Sequence, residues 1–452
     1  MNVREINRVY FIGIGGIGMS ALARFFREQG AVVNGYDKTE TDLTIQLSKE
    51  GMGIHYTDDE LLLDKNTQLI VYTPAIPKDH KELNWYRSNN YPVYKRSDVL
   101  QWITEAMHAI TVAGTHGKTT ISAMIAYLLR ETNYGCNAFL GGISVNYERN
   151  YWSSKNDTAV IEADEYDRSF LKLHPDIAVL TSIDPDHLDI YGTVAEMEAA
   201  FIQYTKNIKP DGTLLVKHGL HRQGDLKGPK TLTYSLQNDA AGVYAYNIMQ
   251  KDGGYLFTVK GNDWEIENVH LQIGGMHNVE NAIAAIAVTQ LLGIDGEIVK
   301  SSLAGFKGVK RRFEYVMKTE KMVYIDDYAH HPEELAALIK SAKHLFPGRR
   351  NVVCFQPHLF SRTRDLADGF ANSLDMADEV ILLDIYPARE LPMEGITSKM
   401  IADKMANPAH TILTKEGFLD YVRVAPLNML ITAGAGDIDK LVEPIKNILL
   451  KK

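Results

Sequence analysis

Short apolar runs alternate with helix-spaced apolar positions along most of the chain. Residues 9–12 form one apolar run, and residues 19–26 after it have the spacing of a helix with one buried face. The same order of strand, turn and helix recurs at residues 110–129. Because neighbouring parallel strands need a crossover connection that is usually a helix, this alternation predicts an α/β fold with parallel sheets.

Two glycine-rich turns follow predicted strands, at residues 13–18 and 114–119. One open sheet rarely needs two phosphate loops so far apart in sequence, so we place them in separate domains. A glycine- and lysine-rich joint at residues 305–312 precedes a fresh strand predicted at 322–326, which indicates a second boundary. The predicted domains are residues 1–105, 106–310 and 311–452.

Composition and charge exclude several classes of protein. The 452 residues include 48 Lys and Arg against 57 Asp and Glu, a net charge of −9, so no nucleic-acid partner is expected. The apolar stretch at residues 282–292 is too short to cross a bilayer, and we expect no membrane insertion. Two cysteines, Cys136 and Cys354, and no CxxC pair favour a cytoplasmic location. The sequence does not distinguish a monomer from a homodimer.

The first glycine turn has the GxGxxG spacing of a dinucleotide-binding loop. Gly13, Gly15 and Gly18 permit a tight turn, and the helix that follows offers free N–H groups to a diphosphate. Asp37 ends the next predicted strand, where such folds place the acid that binds a ribose. These residues alone indicate a nicotinamide or flavin site, although the spacing does not identify the nucleotide.

The second glycine turn is a more specific signal. Between a strand and a helix the chain reads Gly114-Thr115-His116-Gly117-Lys118-Thr119-Thr120. In a loop of this kind backbone N–H groups hold phosphates, the lysine reaches the γ-phosphate, and the threonine hydroxyl binds Mg²⁺. The loop is shorter than the standard phosphate loop between its two glycines.

Polar side chains also follow the next two predicted strands. Glu162 ends one of them and is the Mg²⁺ ligand that we expect there, whereas most of the acidic run at 164–167 is expected to be a solvated face. His187 follows the other strand, on the same sheet edge as Lys118. That position suits a second metal or a polar contact to phosphate.

The remaining candidates lie later in the chain. Asn278 and Asn281 open a helix predicted at 282–292, where they could contact a nucleobase, although Asn278 could instead cap the helix. Arg312, at the second joint, could swing in to stabilise a transferring phosphate, or could be a surface arginine. Two further polar clusters follow predicted strands of the third segment, where an open sheet places ligand sites: Asp326, Tyr328 and His330, and His358 with Arg362.

Taken together, these residues resemble the Mur ligases of peptidoglycan precursor synthesis. The matching motifs run nearly end to end and are GIGGIGMSALA (13–23), TPAI (73–76), AGTHGKTT (113–120), EADEYDRSFL (162–171), DPDHLD (184–189), HNVEN (277–281), RRFE (311–314), DDYAHHP (326–332) and QPHLFSRTRDL (356–366). The chain departs from the family pattern at Leu359, where many members carry a basic residue. This departure shifts the expected contact with the amino-acid carboxylate to Arg362.

The resemblance implies a Rossmann-like N-terminal domain that holds the UDP part of the substrate, a central P-loop ATPase-like domain, and a Rossmann-like C-terminal domain for the amino acid. It implies ATP-dependent ligation of L-alanine to the lactyl carboxylate of UDP-N-acetylmuramate through an acyl phosphate, with Mg²⁺. The first loop would then hold a UDP-sugar diphosphate. The alternatives are a ligase that recycles a tripeptide onto the same acceptor, a nicotinamide-dependent oxidoreductase and a non-catalytic nucleotide-binding module.

The resemblance also implies a role for individual residues. The expected UDP-substrate contacts are Gly13, Gly15, Gly16, Ile17, Gly18, Asp37, Thr73 and Ala75. The expected ATP contacts are Gly114, Thr115, His116, Gly117, Lys118, Thr119, Thr120, Asn278, Asn281, Arg312 and Asp326. The expected amino-acid contacts are Tyr328, His330, His358 and Arg362. The expected catalytic residues are Lys118, Glu162, His187 and Arg312, with Thr119, Glu162 and His187 as metal ligands.

Overall fold

Three sheets, each mostly parallel, form the frame of the described chain, which comprises residues 2–388 and 390–452 of a computed structural model. The side chain of Asp189, the last residue of the DPDHLD motif, lies outside what the structure describes. Helices connect most of the parallel strands, in agreement with the alternating sequence pattern. The predicted three-domain α/β fold is therefore confirmed.

The N-terminal sheet is entirely parallel. Its elements are β1 (Arg8–Ile12), α1 (Ile17–Glu28), β2 (Val32–Tyr36), α2 (Asp42–Lys49), β3 (Gly53–His55), β4 (Leu69–Tyr72), α3 (Lys81–Ser88), β5 (Val93–Lys95) and α4 (Arg96–Ala106). The strand order is β3-β2-β1-β4-β5. The order reverses beside β1, so a crevice opens between the loops that follow β1 and β4, where open α/β sheets bind ligands.

The central sheet has ten strands in the described residues. Its elements are β6 (His108–Ala113), α5 (Lys118–Glu131), β7 (Asn137–Ser144), β8 (Arg149–Trp152), β9 (Thr158–Glu162), β10 (Ile177–Leu180), α6 (Leu188–Tyr191), α7 (Val194–Lys206), β11 (Thr213–Lys217), β12 (Lys230–Ser235), β13 (Val243–Lys251), β14 (Gly254–Lys260), β15 (Glu265–Leu271), α8 (Met276–Leu291) and α9 (Gly296–Leu303). The order is β15-β14-β13-β12-β11-β10-β6-β9-β7-β8. Because β6 lies between β9 and β10 and is parallel to both, the residues after these three strands meet at one edge.

The C-terminal sheet has the order β16-β17-β21-β18-β19-β20, and only the β16–β17 pair is antiparallel. Its elements are β16 (Glu314–Lys318), β17 (Val323–Asp327), α10 (Pro332–Leu345), β18 (Asn351–Phe355), α11 (Phe360–Leu374), β19 (Glu379–Leu382), α12 (Lys399–Ala402), β20 (His410–Ile412), α13 (Lys415–Val424), β21 (Met429–Ala433) and α14 (Val442–Leu449). Short 3₁₀ helices occur at Val3–Glu5, Glu60–Leu62, Tyr166–Lys172, Gln223–Asp225 and Asp437–Leu441.

The chain packs as two compact units. The first comprises residues 2–247, 257–269 and 280–303, and the second comprises residues 248–256, 270–279 and 304–452. The division at residues 105 and 310 that the sequence suggests stays a prediction. Among the described residues, no helix has both the length and the apolar character needed to cross a bilayer.

Helix α8 begins earlier than the sequence predicts. The expected helix covers residues 282–292, whereas α8 starts at Met276, so Asn278 and Asn281 lie inside its first turns. Val279, Ile283 and Ile286 are fully buried at helical spacing. Burial of Val279 continues the apolar face by one turn, which the polar residues around it hide in the sequence.

A buried polar network joins α1 to the central sheet inside the first unit. Arg24 is buried and pairs with both carboxylate oxygens of Glu50, at 2.8 and 3.0 Å. Its remaining terminal nitrogen donates to the side-chain carbonyl of Asn150 in β8. The amide of Asn150 donates in turn to the carbonyl of Ile17 at 2.6 Å and to Ser20 at 3.0 Å. The network therefore fixes the first turn of α1.

A second buried polar group, Glu82 of α3, lies beneath the N-terminal sheet. The Tyr10 hydroxyl donates to one carboxylate oxygen at 2.7 Å, and the Asp59 N–H donates to the other at 3.2 Å. His55 lies 3.5 Å away. Burial raises the pKa of Glu82 to about 7, and the two hydrogen bonds offset only part of this rise.

We expect Glu82 to make the N-terminal region less stable as pH rises from 4.5 to about 7. An unfolded glutamate ionises near pH 4.5, whereas folded Glu82 keeps its proton to about pH 7. The stability that this group contributes is complete below pH 4.5 and is lost as pH rises through 7. Melting temperatures measured across this range should fall less for Glu82→Gln than for the wild type. Glu60→Gln, which changes an exposed glutamate, should keep the wild-type slope, and an equal slope in all three proteins would contradict this account.

Candidate active site

The second glycine loop connects β6 to α5, and its shape requires glycine at two positions. Gly114 and Gly117 have φ angles of +125° and +80°. A Cβ on Gly114 would lie 2.1 Å from the hydroxyl of Thr181, and one on Gly117 would lie 2.8 Å from the side-chain oxygen of Asn281. The loop is therefore packed against the end of β10 and against Asn281, with no room for a larger residue. Helix α5 starts directly after it, so its first N–H groups are available to an anion.

Side chains that follow β10 hold the middle of this loop. The hydroxyl of Ser182 accepts the N–H of His116 at 3.0 Å and lies 2.7 Å from the hydroxyl of Thr115. Thr181 donates to the carbonyl of His116 at 2.5 Å. The ring of His116 is exposed, 3.9 Å from a carboxylate oxygen of Asp184. Thr115 and the backbone of His116 thus fix the loop conformation.

Thr119 and Glu162 are in direct contact. The Thr119 hydroxyl donates to Oε1 of Glu162 at 2.9 Å, and the N–H of Gly141 donates to Oε2 at 3.0 Å. Glu162 ends β9, the strand beside β6, which explains why these residues meet. A hydroxyl and a carboxylate oxygen are the ligands that Mg²⁺ prefers. Their role as metal ligands stays a prediction.

Lys118 is paired with a carboxylate that the sequence analysis did not single out. Its ammonium donates to the carbonyl of Gly114 at 2.7 Å and to Oε1 of Glu165 at 2.8 Å. The expectation that the acidic run is solvated is wrong for Glu165, whose side chain is 1% exposed. Burial raises the pKa of the Glu165 carboxyl, and the charge of Lys118 opposes this rise. A buried acid inside a charged run leaves no periodic signal, so only the folded structure identifies it.

His187 lies beside the same glutamate. Its Nε2 is 3.9 Å from Oε1 of Glu165 and 3.7 Å from a carboxylate oxygen of Asp186. One ligand atom from each of these three residues lies within 4.8 Å of the other two. Two carboxylates and an imidazole at this spacing fit a divalent cation. The structure thus places His187 near Lys118, as the sequence predicts.

The first glycine loop is held by Asp37. The N–H groups of Gly13 and Ile14 both donate to the carbonyl of Tyr36, and the N–H of Gly15 donates to the Asp37 carboxylate at 2.7 Å. A Cβ on Gly13 would lie 2.7 Å from the methyl group of Thr73. Thr73 follows β4, so the loop and Thr73 meet where the strand order reverses. Asp37 binds the loop itself, which makes it a poor marker of a ribose site.

A cavity of about 330 Å³ connects this loop to the metal-ligand candidates in the first unit. Residues 16–19 and Thr73 line one part of it, and Glu162 and Asp164 line another. Among the described residues that line it, Arg96 is the only one with a cationic side chain, and it lies 3.6 Å from Asp164. Arg96 starts α4, where the sequence offered no motif, so sequence reasoning missed it.

Asn278, Asn281 and Ala75 have different surroundings. The Asn278 amide donates to the carbonyl of Gly274 at 2.7 Å and is buried, so it closes the start of α8. Asn281 lies one turn later, beside Gly117. Ala75 is exposed in the turn after β4. Their predicted ligand contacts stay predictions.

In the second unit, Asp326 is buried at the end of β17. The Thr432 hydroxyl donates to it at 2.5 Å, and Nε of Arg311 lies 3.6 Å from its other oxygen. Burial raises the pKa of Asp326 to about 7, while Thr432 and Arg311 lower it less. Arg311 is therefore the arginine that lies against the buried carboxylate of Asp326. The next residue, Arg312, is exposed, and its charge lowers the pKa of Asp327 against the rise that burial causes.

The four predicted amino-acid contacts come together at the ends of β17 and β18. The rings of Tyr328 and His330 are 5.1 Å apart, and those of His330 and His358 are 6.2 Å apart. Burial and the nearby charge of Arg362 lower the pKa of His358 to about 4, so its imidazole is neutral at pH 7. Nη1 of Arg362 is buried and has no hydrogen-bond acceptor in the described chain. Arg364, by contrast, is exposed and pairs with its neighbour Asp365 at 2.7 Å.

Comparison with known proteins assigns the three segments of the chain to one family. Residues 8–108 match the catalytic domain of the Mur ligase family, residues 112–289 match the Mur ligase middle domain, and residues 311–436 match the glutamate ligase domain. The UDP-N-acetylmuramate–L-alanine ligase of Cytophaga hutchinsonii is 47% identical over 99% of this chain and 97% of its own length. The enzyme of the same name from Porphyromonas gingivalis strain W83 is 49% identical over 98% and 99%.

Solved structures agree with these matches. The UDP-N-acetylmuramate–alanine ligase of Thermotoga maritima is 28% identical, with a TM-score of 0.83 over 98% of this chain and 99% of that one. The murein peptide ligase of Psychrobacter arcticus, 22% identical, shares the fold with a TM-score of 0.68 over 98% of both chains. On its domain matches, its identity to relatives along the whole chain and its fold, the chain belongs to the Mur ligase family.

Proposed function

We infer that the chain is an ATP-dependent ligase that joins L-alanine to UDP-N-acetylmuramate. The observation that carries this inference is the contact of Thr119 with Glu162 beside Lys118, in a chain 47–49% identical along its length to ligases of that name. A phosphate loop with a lysine and candidate metal ligands beside it is suited to phosphoryl transfer.

The reaction proceeds in two steps. An oxygen of the lactyl carboxylate attacks the γ-phosphorus of ATP, the bond to the bridging oxygen breaks, and ADP leaves with that electron pair. The alanine nitrogen then attacks the acyl carbon of the acyl phosphate, and inorganic phosphate leaves. Lys118 and the N–H groups at the start of α5 stabilise the charge on the phosphoryl group. Mg²⁺ held by Thr119 and Glu162 would neutralise the charge of the β- and γ-phosphates when bound.

The UDP-sugar is proposed to bind in the cavity beside the first glycine loop. The diphosphate would lie at the first turn of α1, where Gly16 and Gly18 leave the backbone open to an anion. From there the cavity reaches Glu162, so the lactyl group would extend towards the phosphate loop. Arg96 would provide the positive charge that a carboxylate or diphosphate in this cavity requires.

L-Alanine would bind in the C-terminal cluster of Tyr328, His330, His358 and Arg362. A guanidinium with a buried, unused nitrogen is suited to hold an amino-acid carboxylate. Neutral His358 adds no competing charge there. Arg312 is proposed to stabilise the charge of the transferring phosphate.

The alternatives are less favoured. The relatives with 43–49% identity carry the L-alanine ligase name, whereas the murein peptide ligase of Psychrobacter arcticus shows only a shared fold. Asp37 binds the loop beside it, which weakens the oxidoreductase interpretation. We also propose a cytoplasmic location, because Cys136 and Cys354 are both free and buried.

The test of the function is phosphate release from ATP in the presence of UDP-N-acetylmuramate. We expect release to depend on added L-alanine and to exceed release with a tripeptide. Preference for the tripeptide would assign the recycling reaction instead. No ATP turnover together with NADH binding that UDP-N-acetylmuramate does not displace would overturn the ligase assignment.

Lys118→Ala should abolish ligation and leave UDP-N-acetylmuramate binding nearly unchanged. The lysine contacts the phosphate loop and Glu165, not the first glycine loop. Turnover and calorimetric binding of the UDP-sugar are the measurements. Lys155→Ala removes an exposed lysine of the central segment and should behave as wild type. Substantial turnover by Lys118→Ala would show that the phosphate loop is assigned wrongly.

Arg362→Ala should raise the KM for L-alanine about ten- to hundredfold, the loss expected for a charge-assisted hydrogen bond to a ligand. The KM values for ATP and UDP-N-acetylmuramate should change little. Arg364→Ala is the matched control, because Arg364 is exposed and pairs only with its neighbour Asp365. A defect in the control instead would move the carboxylate contact by two residues, and wild-type values in both would remove this helix start from the alanine site.

A further inference from the structure

Glu165 is a buried carboxylate at the phosphate loop to which the reaction steps give no role. Its Oε1 and Oε2 atoms lie 2.8 and 2.7 Å from the Lys118 ammonium. The Glu165 side chain is 1% exposed and that of Lys118 is 13% exposed. The Tyr191 hydroxyl donates to the backbone carbonyl of Glu165 at 2.7 Å and fixes the segment that carries it. Tyr191 therefore fixes the Glu165 side of the ion pair, and the Gly114 carbonyl fixes the Lys118 side.

In this arrangement Lys118 is occupied by the protein. Its ammonium, with three protons to donate, faces three protein oxygens: the Gly114 carbonyl at 2.7 Å and the two carboxylate oxygens of Glu165 at 2.8 and 2.7 Å. To bind a γ-phosphate, Lys118 has to give up at least part of its contact with Glu165. A buried carboxylate that loses its counter-charge is strongly destabilising. A phosphate brought next to it adds repulsion between like charges.

A replacement for the lysine can bind next to Glu165. His187 and Asp186 lie there, with ligand atoms within 4.8 Å of a Glu165 oxygen. Each carboxylate oxygen of Glu165 has more than one lone pair, so Glu165 can also bind a cation beside its contacts with the lysine. A divalent cation bound to these three side chains would supply the positive charge that Lys118 withdraws.

We propose that Glu165 is a positioning residue that latches Lys118 and releases it to the γ-phosphate only when a divalent cation has taken its place. The proposal rests on the proposed function and adds an order of binding, in which the cation binds before Lys118 contacts the γ-phosphate. The cation at Glu165, Asp186 and His187 is required for Lys118 to engage the triphosphate. Glu165 thereby keeps the lysine away from nucleotide bound without metal.

The test is calorimetric binding of the imido analogue of ATP and of ADP, each in Mg²⁺ or in EDTA. In EDTA, Glu165→Gln should bind the ATP analogue about tenfold more tightly than the wild type, because the competing buried charge is gone. ADP has no γ-phosphate, so its affinity should be unchanged. Glu196→Gln, which alters a glutamate that is 60% exposed, is the matched control and should behave as wild type.

Glu165→Asp keeps the charge and should retain the wild-type dependence on metal. An equal gain for ADP and the ATP analogue, or no gain in EDTA, would overturn the latch. So would a gain in Glu165→Asp as large as that in Glu165→Gln.

A second measurement keeps the proposal testable if Glu165→Gln does not fold. In Lys118→Met the carboxylate lacks its counter-charge, so Mn²⁺ alone should raise the melting temperature more than it does in the wild type. An equal shift in both proteins would contradict the exchange of lysine for cation. Failure of the proposed function is seen separately, as absence of L-alanine-dependent phosphate release by the wild type.

Discussion

The close approach of Gly114 to the end of β10 is the constraint on which the site depends. A Cβ on Gly114 would lie 2.1 Å from the Thr181 hydroxyl, so the loop after β6 follows a path that requires glycine at this position. On this path the N–H of His116 donates to the Ser182 hydroxyl, and α5 begins at Lys118. Thr119 then lies beside Glu162 at the end of the neighbouring strand. Loop, helix start and metal-ligand candidates thus follow from parallel strands that end at one edge.

Three pairs of opposite charges with at least one buried partner lie at points where elements meet. Arg24 pairs with Glu50, Lys118 with Glu165, and Arg311 with Asp326. A buried pair contributes little net stability, but removal of one partner is costly. Such pairs therefore fix geometry more than they hold the fold together. Arg311 is tied to Asp326 in this way, whereas the neighbouring Arg312 is exposed.

Much of the fold could be predicted from the sequence, because the periodicity of the apolar residues indicates the elements, and the position of a polar residue after a strand indicates where it lies. Apolar runs identify the strands, and residues directly after them must lie at the sheet edge, which explains how Glu162 and His187 could be named. Burial of Glu165 and the location of Arg96 depend on contacts between segments distant in sequence, which no local pattern records. Asp37 could be placed at its strand end, but its hydrogen bond to Gly15 could not be foreseen.

The link from Asn150 to the first turn of α1 has a consequence for how such proteins diverge. Ile17 and Ser20, beside the first glycine loop, are held by a residue of β8 that lies far along the chain. The N-terminal segment of this chain is thus not an autonomous unit that gene fusion could transplant onto an unrelated ATPase. A successful exchange would have to carry β8 with it, or recreate an amide at that position. Shuffling among these enzymes should therefore preserve the two segments as one inherited block.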